Sequence, residues 1–472
     1  VSPPAVTVEQ LQGTAGPEGT SPLLAESEAL VLLSPPEGDF PGLVWAVTRE
    51  GIAWAEIPMG ADALSDKIAR LHTLLDGGSG TRAPQTASGM ADAHTPGARG
   101  YDRTLAHELY QALFGAPEIQ AVIADKPDWV LVPQGTLLSL PFAALVTAAP
   151  EGADDDPQAL RTSAWLGLER ALAVVPSVAT LRSLRQLAKA RTDAPPLPFF
   201  GLGDPAFEGA PEANRGEQGM VLAQARAFFR DATGEVESVR ALPRLPGTRA
   251  EAEAMAAALG AGPDSLLLGA DANETRLAQA STDGPLARAR VVLLATHGLM
   301  AGSFEGLAEP ALALTPPADG PRLIDPAPDA AEGAIPVSLG AAASQGARLD
   351  DGLLTASEAA RLDLDADWVI LSACDTAAGE SPDARGLTGL ARAFFYAGAR
   401  SLLVSHWRVR DDVAARLTTN AVARAQANPA LSRARAFQAA MRAVLEDTSL
   451  DHTGRALAHP AAWAPFQIVG VE

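Results

Sequence analysis

From residue 127 onward the chain repeats one pattern, a short and almost wholly apolar run followed by a longer stretch with apolar residues on a helical period. The runs are Trp129–Pro133, Leu172–Val175, Phe199–Leu202, Leu266–Leu268, Val291–Ala295, Trp368–Ala373 and Leu402–Ser405. A strand that is apolar on both faces must be covered on both faces. Helices between such strands cover them best when the strands run parallel. The helices expected are Ser177–Lys189, Thr248–Leu259, Ala272–Gln279, Ala356–Leu362, Leu387–Ala397, Asp412–Ala425 and Ser432–Leu445. Ser177, directly after Pro176, reads as an N-cap, and Thr248 with Glu251 three residues on reads as a capping box. Residues 127–472 are therefore expected to form an α/β domain, a mostly parallel sheet flanked by helices.

The first 126 residues read differently. Residues 1–25 are rich in Pro, Gly, Thr and Glu and read as a linker. Strands are expected over Ala29–Leu33, Leu43–Thr48 and Ile52–Ile57, with Arg49-Glu50-Gly51 as a tight hairpin turn. Amphipathic helices follow over Ala61–Leu75 and Tyr101–Phe114, joined by a Gly- and Ser-containing connection that reads as flexible. Residues 26–126 are thus expected to be an α+β subdomain containing a β-hairpin. Further on, Thr147–Ser163, with Asp154-Asp155-Asp156, is expected to be a solvated loop. Thr315–Asp351, rich in Pro, Gly and Ala, is expected to be disordered rather than a lid. No internal repeat is visible.

Composition excludes several classes. One cysteine in 472 residues rules out an internal disulfide framework and a cysteine-rich zinc site. A net charge of −21 argues against a nucleic-acid surface, which needs clustered Lys and Arg. No apolar run is long enough to span a bilayer, and no clustered ligand spacing implies a metal or another cofactor. A free thiol that must stay reactive suits a reducing cytoplasm. Heavy use of Ala, Gly, Pro and Arg suggests a GC-rich bacterial genome.

Two of the apolar runs end in reactive side chains. Val291-Val292-Leu293-Leu294-Ala295-Thr296 leads into His297-Gly298, and Trp368-Val369-Ile370-Leu371-Ser372-Ala373 leads into Cys374-Asp375-Thr376. Ligands of open α/β sheets bind at the carboxyl ends of strands. A thiol and an imidazole delivered there make a nucleophile and its general base, with the backbone amides of Gly298 and Cys374 as donors to an oxyanion. No side chain stands out as a third member, and a backbone carbonyl can orient the imidazole instead. Taken singly, a lone Cys on an apolar strand is more often an inert core residue, and His-Gly after a strand is more often a turn. His406 is a competitor for the base, because it also ends a strand, in Leu403-Val404-Ser405-His406-Trp407.

These residues resemble the CHAT family, caspase-like cysteine peptidase domains related to caspases and separase. The resemblance extends to Leu131-Val132-Pro133-Gln134-Gly135 with Leu140-Pro141-Phe142-Ala143-Ala144-Leu145, to Gly203-Asp204-Pro205 and to Leu245-Pro246-Gly247-Thr248-Arg249-Ala250-Glu251. Phe394-Phe395-Tyr396-Ala397-Gly398-Ala399, Ser405-His406-Trp407 and the closing His459–Phe466 also fit. It implies a caspase-like fold with His297 as base, Cys374 as nucleophile, and the Gly298 and Cys374 amides as oxyanion hole. It further implies that Ser405, Trp407 and Asp411, or Asp375 beside the nucleophile, meet the substrate, an acid there favouring Arg or Lys before the cut bond. Asp411 is slightly better suited to capping the helix that follows it, and Trp407 is equally suited to ordinary packing. The implied partners are a protein substrate, such as a gasdermin-like or other effector, and an activating sensor protein or N-terminal repeat region. The expected activity is that of a regulated bacterial endopeptidase in signalling or defence. A catalytically silent caspase-like scaffold that binds partners, and a thiol hydrolase or acyltransferase on the same dyad, are the alternatives.

Overall fold

The computed structural model describes residues 6–13, 22–75, 100–187, 196–208, 238–282, 284–303, 307–324, 348–372, 386–407, 411–449 and 457–470. The chain divides into two compact units, the first made of residues 1–191, 377–385 and 403–472, the second of residues 192–376 and 386–402. The parallel strands in each are largely buried on both faces, as their unbroken apolar sequences require.

The chain enters the first unit through β1 (Glu28–Ser34), β2 (Gly42–Val47) and β3 (Ile52–Ile57), then β4 (Asp128–Pro133) and β5 (Ala171–Val174). β2 and β3 form the expected hairpin, with Val47 opposite Ile52 and the Thr48 amide donating to the Gly51 carbonyl. β4 pairs in parallel with β1, from Glu28 opposite Asp128 to Leu33 opposite Pro133. That pairing adds the hairpin to the parallel strands of the first unit. The Ala61–Leu75 helix occurs as expected, and the next runs over Arg103–Phe114 with Asp102 as its cap.

Two polar stretches are more ordered than their composition suggests. Val8–Gln12 is a short helix with a capping box between Thr7 and Gln10, and it buries Leu11. The segment expected to be a solvated loop instead wraps the guanidinium of Arg103, which is 1% exposed. Arg103 donates to the Asp154 carboxylate at 2.7 Å, the Ser163 hydroxyl at 2.9 Å and the carbonyls of Glu151, Gly152 and Ala159. A buried guanidinium has five donors to satisfy, and this segment supplies acceptors for them.

In the second unit come β6 (Leu197–Gly203), β7 (Leu266–Leu268), β8 (Ala289–Ala295), β9 (Gly298–Leu299), β10 (Ala311–Ala313), β11 (Arg322–Leu323), β12 (Leu349–Asp350), β13 (Leu353–Thr355) and β14 (Trp368–Ser372). Four of these lie in the order β14-β8-β6-β7, all parallel. β9, β10 and β13 form a small antiparallel sheet. β11 pairs with β12, so both ends of the segment expected to be disordered are held, while residues 325–347 lie outside the described residues. At the amino ends of β8 and β14 the carboxylate of Asp365 takes Arg400 at 2.6 Å and Arg290 at 3.1 Å. Gly398 closes the Gly386–Tyr396 helix with φ 111°, where a Cβ would lie 2.0 Å from the Leu364 carbonyl oxygen. Only glycine fits there.

β15 (Ser401–Ser405) and β16 (Phe466–Gly470) complete the strand set. In the first unit the order is β3-β2-β1-β4-β5-β16-β15. The Arg433–Glu446 helix packs on β5 and is pinned to the start of β4 by a two-pronged ion pair between Arg435 and Asp128. The α/β class, the mostly parallel strands and the helical cover all match the sequence expectation.

Candidate active site

His297 stands two residues beyond the end of β8 and one before β9. The apolar run of β8 carries the chain to the carboxyl edge of its strands, and the antiparallel pair of β9 with β10 turns it away. That turn is held on both sides of the imidazole. The Ala313 amide donates to the His297 carbonyl at 2.9 Å, and the Thr296 hydroxyl donates to the Ala313 carbonyl. The side chain is 7% exposed. Its ring lies 5.5 Å from that of Phe207, which belongs to an apolar cluster with Val239, Leu307, Ala311, Ala313 and Leu353.

The ring nitrogen Nε2 lies 2.8 Å from the carbonyl oxygen of Pro243. A carbonyl only accepts, so this bond exists only with the proton on Nε2. In the neutral ring the lone pair then sits on Nδ1. A backbone carbonyl thus orients the imidazole, the alternative left open by the lack of a third side chain.

β8 and β14 are parallel neighbours, and Ala295 pairs with Ser372. Ala295 precedes His297 by two positions and Ser372 precedes Cys374 by two. The chain is therefore aligned across the two strands at equal distances from both candidate residues. Cys374 and Asp375 lie outside the described residues. The Ser372 hydroxyl donates to Oε2 of Glu251 at 2.9 Å, and Glu251 is almost wholly buried. Sequence reasoning gave Glu251 another task. The expected capping box fails because the helix begins earlier, over Pro246–Ala258, with Pro246 in its first turn and Leu245 as cap. Proline suits that first position, having no amide proton to lose. Thr248, inside the first turn, donates to the Leu245 carbonyl and accepts from the Asp204 amide at 2.7 Å each.

Asp204 follows β6, the strand next to β8, and its Gly203 pairs with Ala295. Among the described residues it is the one non-glycine with positive φ, 51°. That conformation costs roughly 1–3 kcal/mol, least for Asp and Asn. Its carboxylate is 2% exposed and fully engaged. Arg244 grips it with two bonds, at 2.8 and 2.9 Å, and Arg249 Nε donates at 2.9 Å. Sequence reading gave Asp204 and Pro243 no task, because a carbonyl acceptor and a left-handed Asp leave no periodic signal.

The remaining candidates are distributed as follows. Gly298 is half-buried at the start of β9, opposite Leu312. Ser405 and Trp407 belong to the first unit, whereas His297 belongs to the second. Both are 1% exposed, and the Trp407 indole donates to the Ala461 carbonyl at 3.2 Å. Asp411 opens the Asp411–Ala427 helix, and its side chain lies outside the described residues. His406, the competing base, is 2% exposed and shares a bond with Oε1 of Gln467. Among the described residues no group of His, Cys, Asp or Glu is placed to hold a metal ion. No described helix is long and apolar enough to cross a membrane.

A family model described as the CHAT domain matches residues 103–471. No curated protein matches the chain. Among solved structures the chain is similar to separase in the Saccharomyces cerevisiae separase–securin complex, with a TM-score of 0.43 and 10% identity. That similarity covers 98% of this chain but only 30% of the separase chain.

Proposed function

The chain belongs to the CHAT domain family, and from that premise we propose that it is a cysteine endopeptidase with Cys374 as nucleophile and His297 as general base. What carries the reading is the imidazole of His297, fixed by the Pro243 carbonyl at the exit of β8, the strand paired with the one that leads to Cys374. With the proton on Nε2, Nδ1 carries the lone pair of the neutral ring and is proposed as the nitrogen that takes the thiol proton.

The reaction then runs in two balanced halves. The thiol proton passes to Nδ1 and the thiolate adds to the carbonyl carbon of the scissile peptide. The oxyanion that forms is held by the amides of Gly298 and Cys374. Collapse breaks the C–N bond, and the imidazolium returns its proton to the leaving amine. Water, deprotonated by the same nitrogen, next attacks the thioester, releasing the acid and regenerating the thiol. Pro243 keeps the ring in one tautomer throughout and supports its charged form.

The substrate is proposed to be a protein partner, cut at limited sites in a reducing bacterial cytoplasm. Asp375, next to the nucleophile in sequence, is proposed as the acid offered to an Arg or Lys before the cut bond. Cleavage of a peptide library, read by mass spectrometry, tests this. The unmodified chain is expected to give cuts that Cys374→Ala and His297→Ala abolish, clustered after Arg or Lys. Equal cutting by all three chains would refute the dyad. No cutting together with an unreactive Cys374 would favour a silent scaffold.

A further inference from the structure

We infer that Asp204 and Arg244 are positioning residues for the catalytic imidazole, acting through the Pro243 carbonyl. This rests on His297 being the general base, as proposed above. The carbonyl that receives His297 Nε2 is part of the peptide unit joining Pro243 to Arg244. On one side of that unit the pyrrolidine ring of Pro243 fixes φ. On the other, the Arg244 side chain is tied by two parallel bonds to the buried Asp204 carboxylate, a geometry that fixes direction as well as distance. The peptide plane between them has little freedom to turn, so its oxygen stays aimed at Nε2.

Stability alone does not account for this clamp. Arg249 already pairs with the same buried carboxylate, so neutralising Asp204 does not require the 49% exposed Arg244 as well. Asp204 is nonetheless held in a strained left-handed conformation, the kind of outlier that marks a functional constraint. Its backbone is pinned in turn, because its amide donates to Thr248. The segment from Pro243 to Glu251 thereby touches the exits of three neighbouring strands. It meets β6 through Asp204, β8 through His297 and β14 through Ser372. The clamp sets the spacing between the segment that orients the base and the strands that deliver base and nucleophile.

The tautomer of His297 is a readout that a merely structural role would not move. It is measured by nitrogen NMR of the neutral ring, assigned with His297→Ala. In the unmodified chain one tautomer is expected, protonated on Nε2. In Arg244→Met, where Arg249 still neutralises Asp204 and keeps the fold, a mixture of both tautomers is expected. Arg244→Lys, which keeps the charge but not the two-pronged grip, is expected to behave the same way. For peptide cleavage, kcat should fall by about tenfold to hundredfold in both variants with KM little changed. Arg322→Met serves as control, since it breaks a similar pair between a half-exposed arginine and the buried Asp350. It should leave tautomer and kcat unaltered. A single Nε2 tautomer persisting in Arg244→Met, or a wild-type ring not protonated on Nε2, would overturn the inference. Because the NMR readout needs no turnover, it decides the matter even if the peptidase reading fails.

Discussion

His406 follows β15 much as His297 follows β8, and from sequence alone either ring suits a base. Their surroundings separate them. Burial, with His72 close by, pushes the His406 pKa down to about 3. Its neighbours are the Trp407 and His72 rings and the Gln467 amide. A ring that resists protonation this strongly makes a poor proton acceptor in catalysis. It also makes stability depend on pH. The unfolded chain takes up a proton near pH 6.5 and the folded chain only near pH 3, so this contribution is complete above pH 6.5 and is lost as pH falls toward 3. Urea unfolding between pH 6.5 and 4.5 should show a loss of up to about 1.4 kcal/mol per pH unit from this group. His406→Gln should remove that slope, and an unchanged slope would show that the ring is not held neutral. At this scale His297 and Cys374 were legible as candidates because a reactive residue at the exit of an apolar run is visible in the sequence. Asp204 was quoted in a motif but given no task, because its task depends on a φ angle and on an arginine that reaches it only in the fold.

At the scale of elements, the helix over Pro246–Ala258 shows what sequence signals miss. Thr248 and Glu251 have the spacing of a capping box, but Pro246 starts the helix first and frees both side chains for the neighbouring strand exits. The local signal was real chemistry assigned to the wrong partners. Close approach between this helix and β6 depends on Gly203. A Cβ there would stand 2.8 Å from the Thr248 carbonyl oxygen, a backbone atom that cannot swing aside. Gly203→Ala should therefore destabilise the chain by roughly 1–3 kcal/mol, seen as a lower urea midpoint at constant slope. A midpoint equal to wild type would mean that the helix shifts freely. Apolar strands and the Ala61–Leu75 helix were legible because their period is set by burial. The segment around Arg103 was not, because its order comes from acceptors gathered by one distant guanidinium.

For the whole molecule, the class of fold followed from the alternation of apolar runs and amphipathic stretches, but the grouping of strands did not. β1 joins β4 across about a hundred residues of sequence, and no local pattern announces a parallel pairing of that range. The family match begins at residue 103, after the hairpin strands. A chain lacking residues 1–102 would leave β4, with buried Trp129 and Leu131, as a bare edge open to pairing with other copies. Such a chain should elute as soluble aggregate or precipitate, whereas a monodisperse product on size exclusion would show that the hairpin is dispensable.

The central claim is that His297 and Cys374 act on one another. As Cys374 is the only cysteine, its alkylation rate against pH reads that interaction without ambiguity. In the unmodified chain the thiolate should persist well below its ordinary pKa of about 8.5, held by the imidazolium. In His297→Ala reactivity should return to that ordinary range. Identical profiles in the two chains, both centred near the free thiol value, would contradict the account.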